Sequence, residues 1–131
     1  MGAFAESDVD VPLGEGLSAG AQAAIEALPA TSALLVVLRG PNAGSRFLLD
    51  ADSTTAGRST KSDIFLDDVT VSRRHATFER SGTSFTVRDL GSLNGTYVNR
   101  ERVDDAVLKA ADEVQIGKYR LTFHPSPALA R

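Results

Sequence analysis

The sequence predicts an all-β fold, a two-layer β-sandwich over residues 33–124, preceded by a flexible arm that contains a short helical segment. Three observations carry this. From residue 33 onward, short runs of aliphatic, β-branched and aromatic residues recur, each bounded by Gly, Asn, Asp or Ser. Two of them, Phe85-Thr86-Val87-Arg88 and Tyr119-Arg120-Leu121-Thr122-Phe123, alternate between apolar and polar residues as half-buried strands do. The runs follow one another at the spacing of sandwiches and barrels, and closing the sheets into two layers buries the apolar face of each.

Taken in order, residues 1–32 form an acidic, Ala-rich arm with few large apolar side chains before Leu17. Leu17, Ala21, Ala24, Ile25 and Leu28 then repeat at helical spacing, with Ser18 placed to cap and Pro29 to stop. A helix this short is marginal in water, so it is either frayed or docked on the domain or a partner. Leu34-Leu35-Val36-Val37-Leu38 reads as a fully buried strand. Gly40-Pro41-Asn42-Ala43-Gly44 reads as its turn, and Arg46-Phe47-Leu48-Leu49 as the returning partner. Residues 54–56, 64–66, 75–79, 96–99 and 113–116 supply further short strands. Residues 125–131, with Pro125-Ser126-Pro127-Ala128, are expected to be a disordered tail.

Composition excludes several classes. At 131 residues the chain holds one domain and a short arm, and 42% hydrophobic with 24% charged residues suits a globular protein. The absence of cysteine rules out a disulfide scaffold and a thiolate metal site and fits a reducing compartment. The apolar run 33–38 is too short to span a bilayer, and the acidic start (Glu6, Asp8, Asp10) is the opposite of a secretory leader. A net charge of -3 argues against a general nucleic-acid binder. The expectation is a cytoplasmic protein that engages neither membrane nor nucleic acid.

Charge is nevertheless concentrated locally. Gly57-Arg58 ends a strand-like run, and Ser72-Arg73-Arg74-His75 follows an acidic turn. Arginine offers a planar fork of donors to phosphate oxygens, and a serine hydroxyl can donate beside it. The bland alternatives are a turn glycine beside a solvated arginine, and a basic turn paired with Asp67 and Asp68. Neighbouring residues of an extended segment face opposite ways, so Arg73 and Arg74 should not both serve one ligand. Asn94-Gly95 reads first as a hairpin turn, but the Asn94 amide is also able to pair with the backbone of an extended peptide.

Catalysis has weak support. Ser72, His75 and Asp89 are the residue types of a hydrolytic triad, yet no G-x-S-x-G elbow is present. A histidine opening a strand is more often packed, its ring nitrogens satisfying backbone groups. His124 is the only other histidine, and no metal-ligand spacing exists. No cofactor or metal is expected.

As an ordered set, Gly57-Arg58, Ser72-x-x-His75 and Asn94-Gly95 among short strands resemble the forkhead-associated (FHA) domain. The likeness covers residues 34–123. It implies a sandwich of about eleven strands that binds phosphothreonine peptides through loops at one end. By that resemblance, Arg58 and Ser72 hold the phosphate, Arg73 assists, and Asn94 binds the peptide backbone. Gly57, His75 and Gly95 are then supports of the loop geometry. Residues 39–44, 62–68 and 91–100 are similar to the actinobacterial GarA/OdhI group. Members of that group bind Ser/Thr protein kinases and inhibit 2-oxoglutarate dehydrogenase and glutamate-metabolising enzymes such as glutamate dehydrogenase. The resemblance thus implies phosphothreonine proteins as partners, or alternatively those enzymes bound through the same face without phosphate. One departure matters. The group carries paired threonines in its acidic arm, whereas this sequence has no threonine before Thr31, only Ser7 and Ser18. The binding site carries over; self-inhibition by a phosphorylated arm does not.

Overall fold

The computed structural model describes residues 17–130. Its frame is eleven strands in two sheets. In chain order they are β1 (Ala33–Arg39), β2 (Arg46–Leu49), β3 (Ser53–Gly57), β4 (Ile64–Phe65), β5 (Ala76–Ser81) and β6 (Ser84–Asp89). Then follow β7 (Thr96–Val98), β8 (Glu101–Val103), β9 (Asp105–Val107), β10 (Glu113–Ile116) and β11 (Tyr119–Pro125). Among the described residues one α-helix, α1 (Ala19–Glu26), precedes them. The six-stranded sheet runs β2-β1-β11-β10-β7-β8 and the five-stranded sheet β4-β3-β5-β6-β9. β3 and β4 pair in parallel, while the other ladders are antiparallel.

The core lies between the layers. Leu35, Val37, Val114, Ile116, Leu121 and Phe123 from the larger sheet meet Ala56, Ile64, Phe78, Phe85 and Val87 from the smaller one, and all are buried. Phe85 and Phe123 stack across the gap, tilted, with centroids 5.4 Å apart. Alternation along each strand, read as period two, places these side chains on one face.

Strand β1 is apolar on both faces, and the structure shows why. Leu35 and Val37 point into the sandwich, while Leu34 and Val36 point outward beneath α1. Leu17, Ala21, Ile25 and Leu28 close over them as a second, separate apolar cluster. The helix is therefore docked on its own domain. Ser18 caps it, its Oγ accepting from Ala21 N–H at 3.1 Å, and the last turn ends at Ala27, ahead of Pro29.

The expectation of a disordered stretch beginning at residue 125 is corrected for its first residues. Pro125 pairs with Ala33 at the end of β11, and Ser126 is buried. Its hydroxyl donates to the Leu28 carbonyl at 2.9 Å and its N–H to the Ser32 carbonyl at 3.1 Å. The reason is backbone accounting: the carbonyl of Leu28, just past the end of α1, needs a donor once the helix is covered. Expectations that fell on residues 1–16 lie outside the described residues.

Candidate functional site

At one rim of the sandwich, three loops are joined by hydrogen bonds that run mostly to backbone groups. The first is the end of β3. Past Gly57 the chain stays paired with the segment before β5, because Arg58 N–H donates to Ser72 O at 3.0 Å and Ser59 N–H to Arg73 O at 3.2 Å. That pairing needs the two backbones in close contact. A Cβ on Gly57 would stand 2.1 Å from the Arg73 carbonyl oxygen, so only glycine fits.

Arg58 is exposed, but its guanidinium is anchored. Nε donates to Val71 O at 3.1 Å, and among the described residues the two Nη groups have no partner. Anchoring by Nε aims the fork and leaves its outer donors to a ligand. Ser72 is half-buried beside it. Its Oγ accepts from Leu93 N–H at 2.9 Å, which leaves the hydroxyl proton to donate elsewhere. Two loops are thus clamped by one side chain.

His75 lies beneath the rim with no exposed surface. Its Nδ1 accepts from Ser72 N–H at 3.1 Å, and its Nε2 faces Gly95 O at 2.9 Å. An amide N–H can only donate, so Nδ1 is the bare nitrogen and Nε2 carries the proton to Gly95. Burial holds the ring's pKa below its usual value, against the opposing pull of the Gly95 carbonyl and the Asp89 charge. The ring is neutral and cross-braces two loops. Ser72 meets it through the amide and not through the hydroxyl, and the hydrogen bonds of the Asp89 carboxylate go to Gly91, Ser92 and Thr96 and not to the ring. The residue types of a triad are present without its connections.

Asn94 and Gly95 sit in the third loop. Asn94 Nδ2 donates to Thr70 O at 2.8 Å, so one amide hydrogen is used internally, and the other hydrogen and Oδ1 remain. Gly95 adopts φ +86°, a left-handed conformation that any side chain would strain. Arg73 is exposed and makes no ion pair among the described residues. Arg74 and Lys61 line a separate recess of about 250 Å³ together with Ala56 and Leu90. Neither Arg58 nor Arg73 lines that recess, so Arg58, Lys61, Arg73 and Arg74 do not share one cup.

Two important supports hold roles that the sequence reading did not give them: Thr70, which it did not single out, and Asp89, which it weighed only as a triad member. Thr70 receives the Asn94 amide on its carbonyl, accepts Lys118 N–H on Oγ1 at 2.9 Å, and donates its hydroxyl to Asp68. Asp89 accepts from the N–H groups of Gly91 and Ser92 and from the hydroxyls of Ser92 and Thr96. Burial raises the Asp89 pKa, but these hydrogen bonds outweigh it and leave the carboxyl below its usual value. The Asp89-Leu90-Gly91-Ser92 spacing is an Asx-type turn and was the available signal for Asp89. Thr70 carried no comparable signal. Among the described residues, no group of His, Asp or Glu is arranged to hold a metal, and no helix is long and apolar enough to cross a membrane.

Against known proteins, an FHA-domain profile matches residues 54–117. The glycogen accumulation regulator GarA of Mycolicibacterium smegmatis is 64% identical over 121 residues, covering 92% of this chain and 76% of that one. The chain belongs to the FHA-domain family. The oxoglutarate dehydrogenase inhibitor of Corynebacterium jeikeium is 67% identical over 101 residues, 77% of this chain and 70% of its own length. A solved FHA domain from work on phosphothreonine-dependent FHA interactions superposes with a TM-score of 0.68 at 30% identity. That match covers 74% of this chain and 99% of the other. The FHA domain here is thus an eleven-stranded sandwich with the GarA and inhibitor proteins as near relatives.

Proposed function

We propose that this FHA domain binds phosphothreonine peptides in Ser/Thr kinase signalling in the cytoplasm, with Arg58, Ser72 and Arg73 on the phosphate and Asn94 on the peptide backbone. One observation carries the reading: the Arg58 fork, tied by Nε to Val71, and the Ser72 hydroxyl, fixed by Leu93 N–H, both keep free donors at the same rim. A phosphothreonine brings close to two negative charges and several acceptor oxygens to such donors. Each charged hydrogen bond contributes about 1.5–3 kcal/mol. After the cost of ordering the peptide, affinity should be roughly micromolar, near -8 kcal/mol. Gly57, His75 and Gly95 act as supports, and no bond of the ligand is made or broken.

Calorimetric titration with a phosphothreonine peptide tests this. Arg58→Ala should weaken binding by about 2–4 kcal/mol, because it leaves phosphate charge unmatched. The unphosphorylated peptide should not bind measurably. An unchanged affinity in the variant would take Arg58 out of the site.

A second reading is supported by the relatives themselves, several of which are named oxoglutarate dehydrogenase inhibitors. In it the same face engages 2-oxoglutarate dehydrogenase, or an enzyme such as glutamate dehydrogenase, without phosphate. Parallel titrations with the dehydrogenase and with the phosphopeptide discriminate the two. Competition between them would place both ligands on one face.

A further inference from the structure

The outer face of the larger sheet is covered over only part of its extent. α1 closes over Leu34 and Val36, and beyond them the face lies open. There the ladders set one row across four strands. Arg39 of β1 stands opposite Arg120 of β11, Arg120 opposite Gln115 of β10, and Gln115 opposite Tyr97 of β7. Their neighbours along β11, β10 and β7 are buried, so the row points outward.

This row holds two arginines as direct strand partners and no acid. Like charges placed opposite each other destabilise a sheet. Lys118 and Arg100 add two more cations, and with Tyr97, Gln115 and Arg120 they line an open basin of about 670 Å³ that Thr70 and Asn94 border on its loop side. Among the described residues Arg39, Lys118 and Arg120 make no ion pair, while Arg100 has one, to Glu113 at 3.9 Å. Arg100 is also strained. It stands at φ +72° after Asn99 at φ +50°, in the two-residue turn between β7 and β8 where glycine is the usual second residue. Its side chain is exposed, so packing does not offset that strain.

A lone phosphate or carboxylate needs neither a basin of this size nor a ring. Tyr97 offers a half-buried ring, and Gln115 beside it an amide that both donates and accepts. Strand order puts Arg120 and Arg39 on one side of that pair and Arg100 on the other. Two strand spacings, roughly 10 Å, separate Tyr97 from Arg120, which is the reach from a base to the outer phosphates of a nucleotide.

We propose that this face is a binding site for a nucleoside polyphosphate, with the base against Tyr97 and Gln115, the phosphates on Arg120 and Lys118, and Arg100 flanking the base. Aromatic stacking and the arginine fork on phosphate are the chemistry these residues offer. The ligand is a free nucleotide and not a peptide, so the site differs from the Arg58–Ser72 cup in both place and occupant.

Calorimetric titration with ATP, adenosine and inorganic tripolyphosphate tests this. Native protein should bind ATP at least about tenfold more tightly than either fragment, because only ATP fills the ring and phosphate positions together. Arg120→Gln should weaken ATP about fivefold or more, while Tyr97→Leu should do the same and leave tripolyphosphate within about twofold. Arg100→Gly should weaken ATP and raise the unfolding midpoint, since it relieves the backbone. No binding of ATP by the native protein overturns the proposal, as does ATP held no better than tripolyphosphate. ATP affinity unmoved in both Arg120→Gln and Tyr97→Leu overturns it too. Loss of ATP binding in Arg58→Ala would move the phosphates to the rim, and a matched loss of phosphothreonine-peptide affinity in Arg120→Gln would make this face part of the peptide groove. Either result overturns the proposal.

Discussion

The rim and the α1 seam sit on the same sandwich but are held by opposite means. The rim loops are held mostly by directed polar bonds: Ser72 to Leu93, His75 to Ser72 and Gly95, Asn94 to Thr70, Asp89 to its own turn. The seam is six apolar side chains, from Leu17 to Val36, closing on one another with a single capping bond at the helix start. Polar bonds fix direction, and apolar burial supplies stability without direction. A site that must aim donors at a ligand needs the first kind. A helix that only has to cover Leu34 and Val36 needs the second.

The largest expected effect comes from disturbing the rim where the geometry is tightest. Gly57→Ala forces a methyl against the Arg73 carbonyl at 2.1 Å, and the facing atom is backbone, which cannot swing aside. The β3 end must part from residues 72–73, and we expect a loss of roughly 3 kcal/mol or more in urea unfolding. Phosphopeptide binding should disappear with it. Native-like stability together with native-like binding would show that the two backbones are not in contact.

At the seam, the matching change is Ile25→Ala. Ile25 is 6% exposed and packs on the outer face of β1, so truncation should cost about 2–4 kcal/mol of stability. Peptide affinity should stay within about twofold, since no bond of the rim passes through α1. If affinity fell in step with stability, the independence of the two regions would be lost.

Acid separates the two regions by a third route. His75 is neutral in the fold with its pKa lowered by burial, whereas an unfolded histidine takes a proton near pH 6.5. Between those values the unfolded chain binds more protons, so stability is complete above about 6.5 and declines as pH falls toward the folded pKa. A protonated ring would also lose its acceptor nitrogen and release Ser72 N–H. Asp89, lowered below the ordinary 3.8, holds its contribution above that value and yields it only in stronger acid. Unfolding midpoints measured across pH should show the upper step in native protein and lose it in His75→Gln. An unaltered upper step in that variant would assign it to another group.

The same contrast explains what could be read from the sequence. Leu34-Leu35-Val36-Val37 already announced a strand covered on both faces, and the helical spacing of Leu17, Ala21, Ile25 and Leu28 supplied the cover. Apolar periodicity is a local signal and survives without coordinates. β8 and β9 escaped residue-level reading because Glu101-Arg102-Val103 and Asp105-Ala106-Val107 are edge strands of three residues, too short to show a period. At the rim, arginine, serine and asparagine were visible as types, and each alone was ambiguous. Thr70 was not visible at all, because its role lies in bonds to Asn94 and Lys118, 24 and 48 positions away. Long-range polar pairing leaves no period in a sequence.

The smallest expected effect is the most selective probe of the seam. Among the described residues Ser18 supplies the only side-chain cap on α1, and the first turn has no acidic residue to stand in for it. Ser18→Ala should therefore cost about 1 kcal/mol, the usual worth of such a cap, in urea unfolding. A helix of eight residues has little stability of its own, so its hold on the sheet comes from burial and the cap only trims the end. The ratio between Ile25→Ala and Ser18→Ala then measures how far packing outweighs local propensity. A Ser18→Ala loss as large as that of Ile25→Ala would mean that α1 forms first and docks second, and the seam would owe its stability to the helix instead of the reverse.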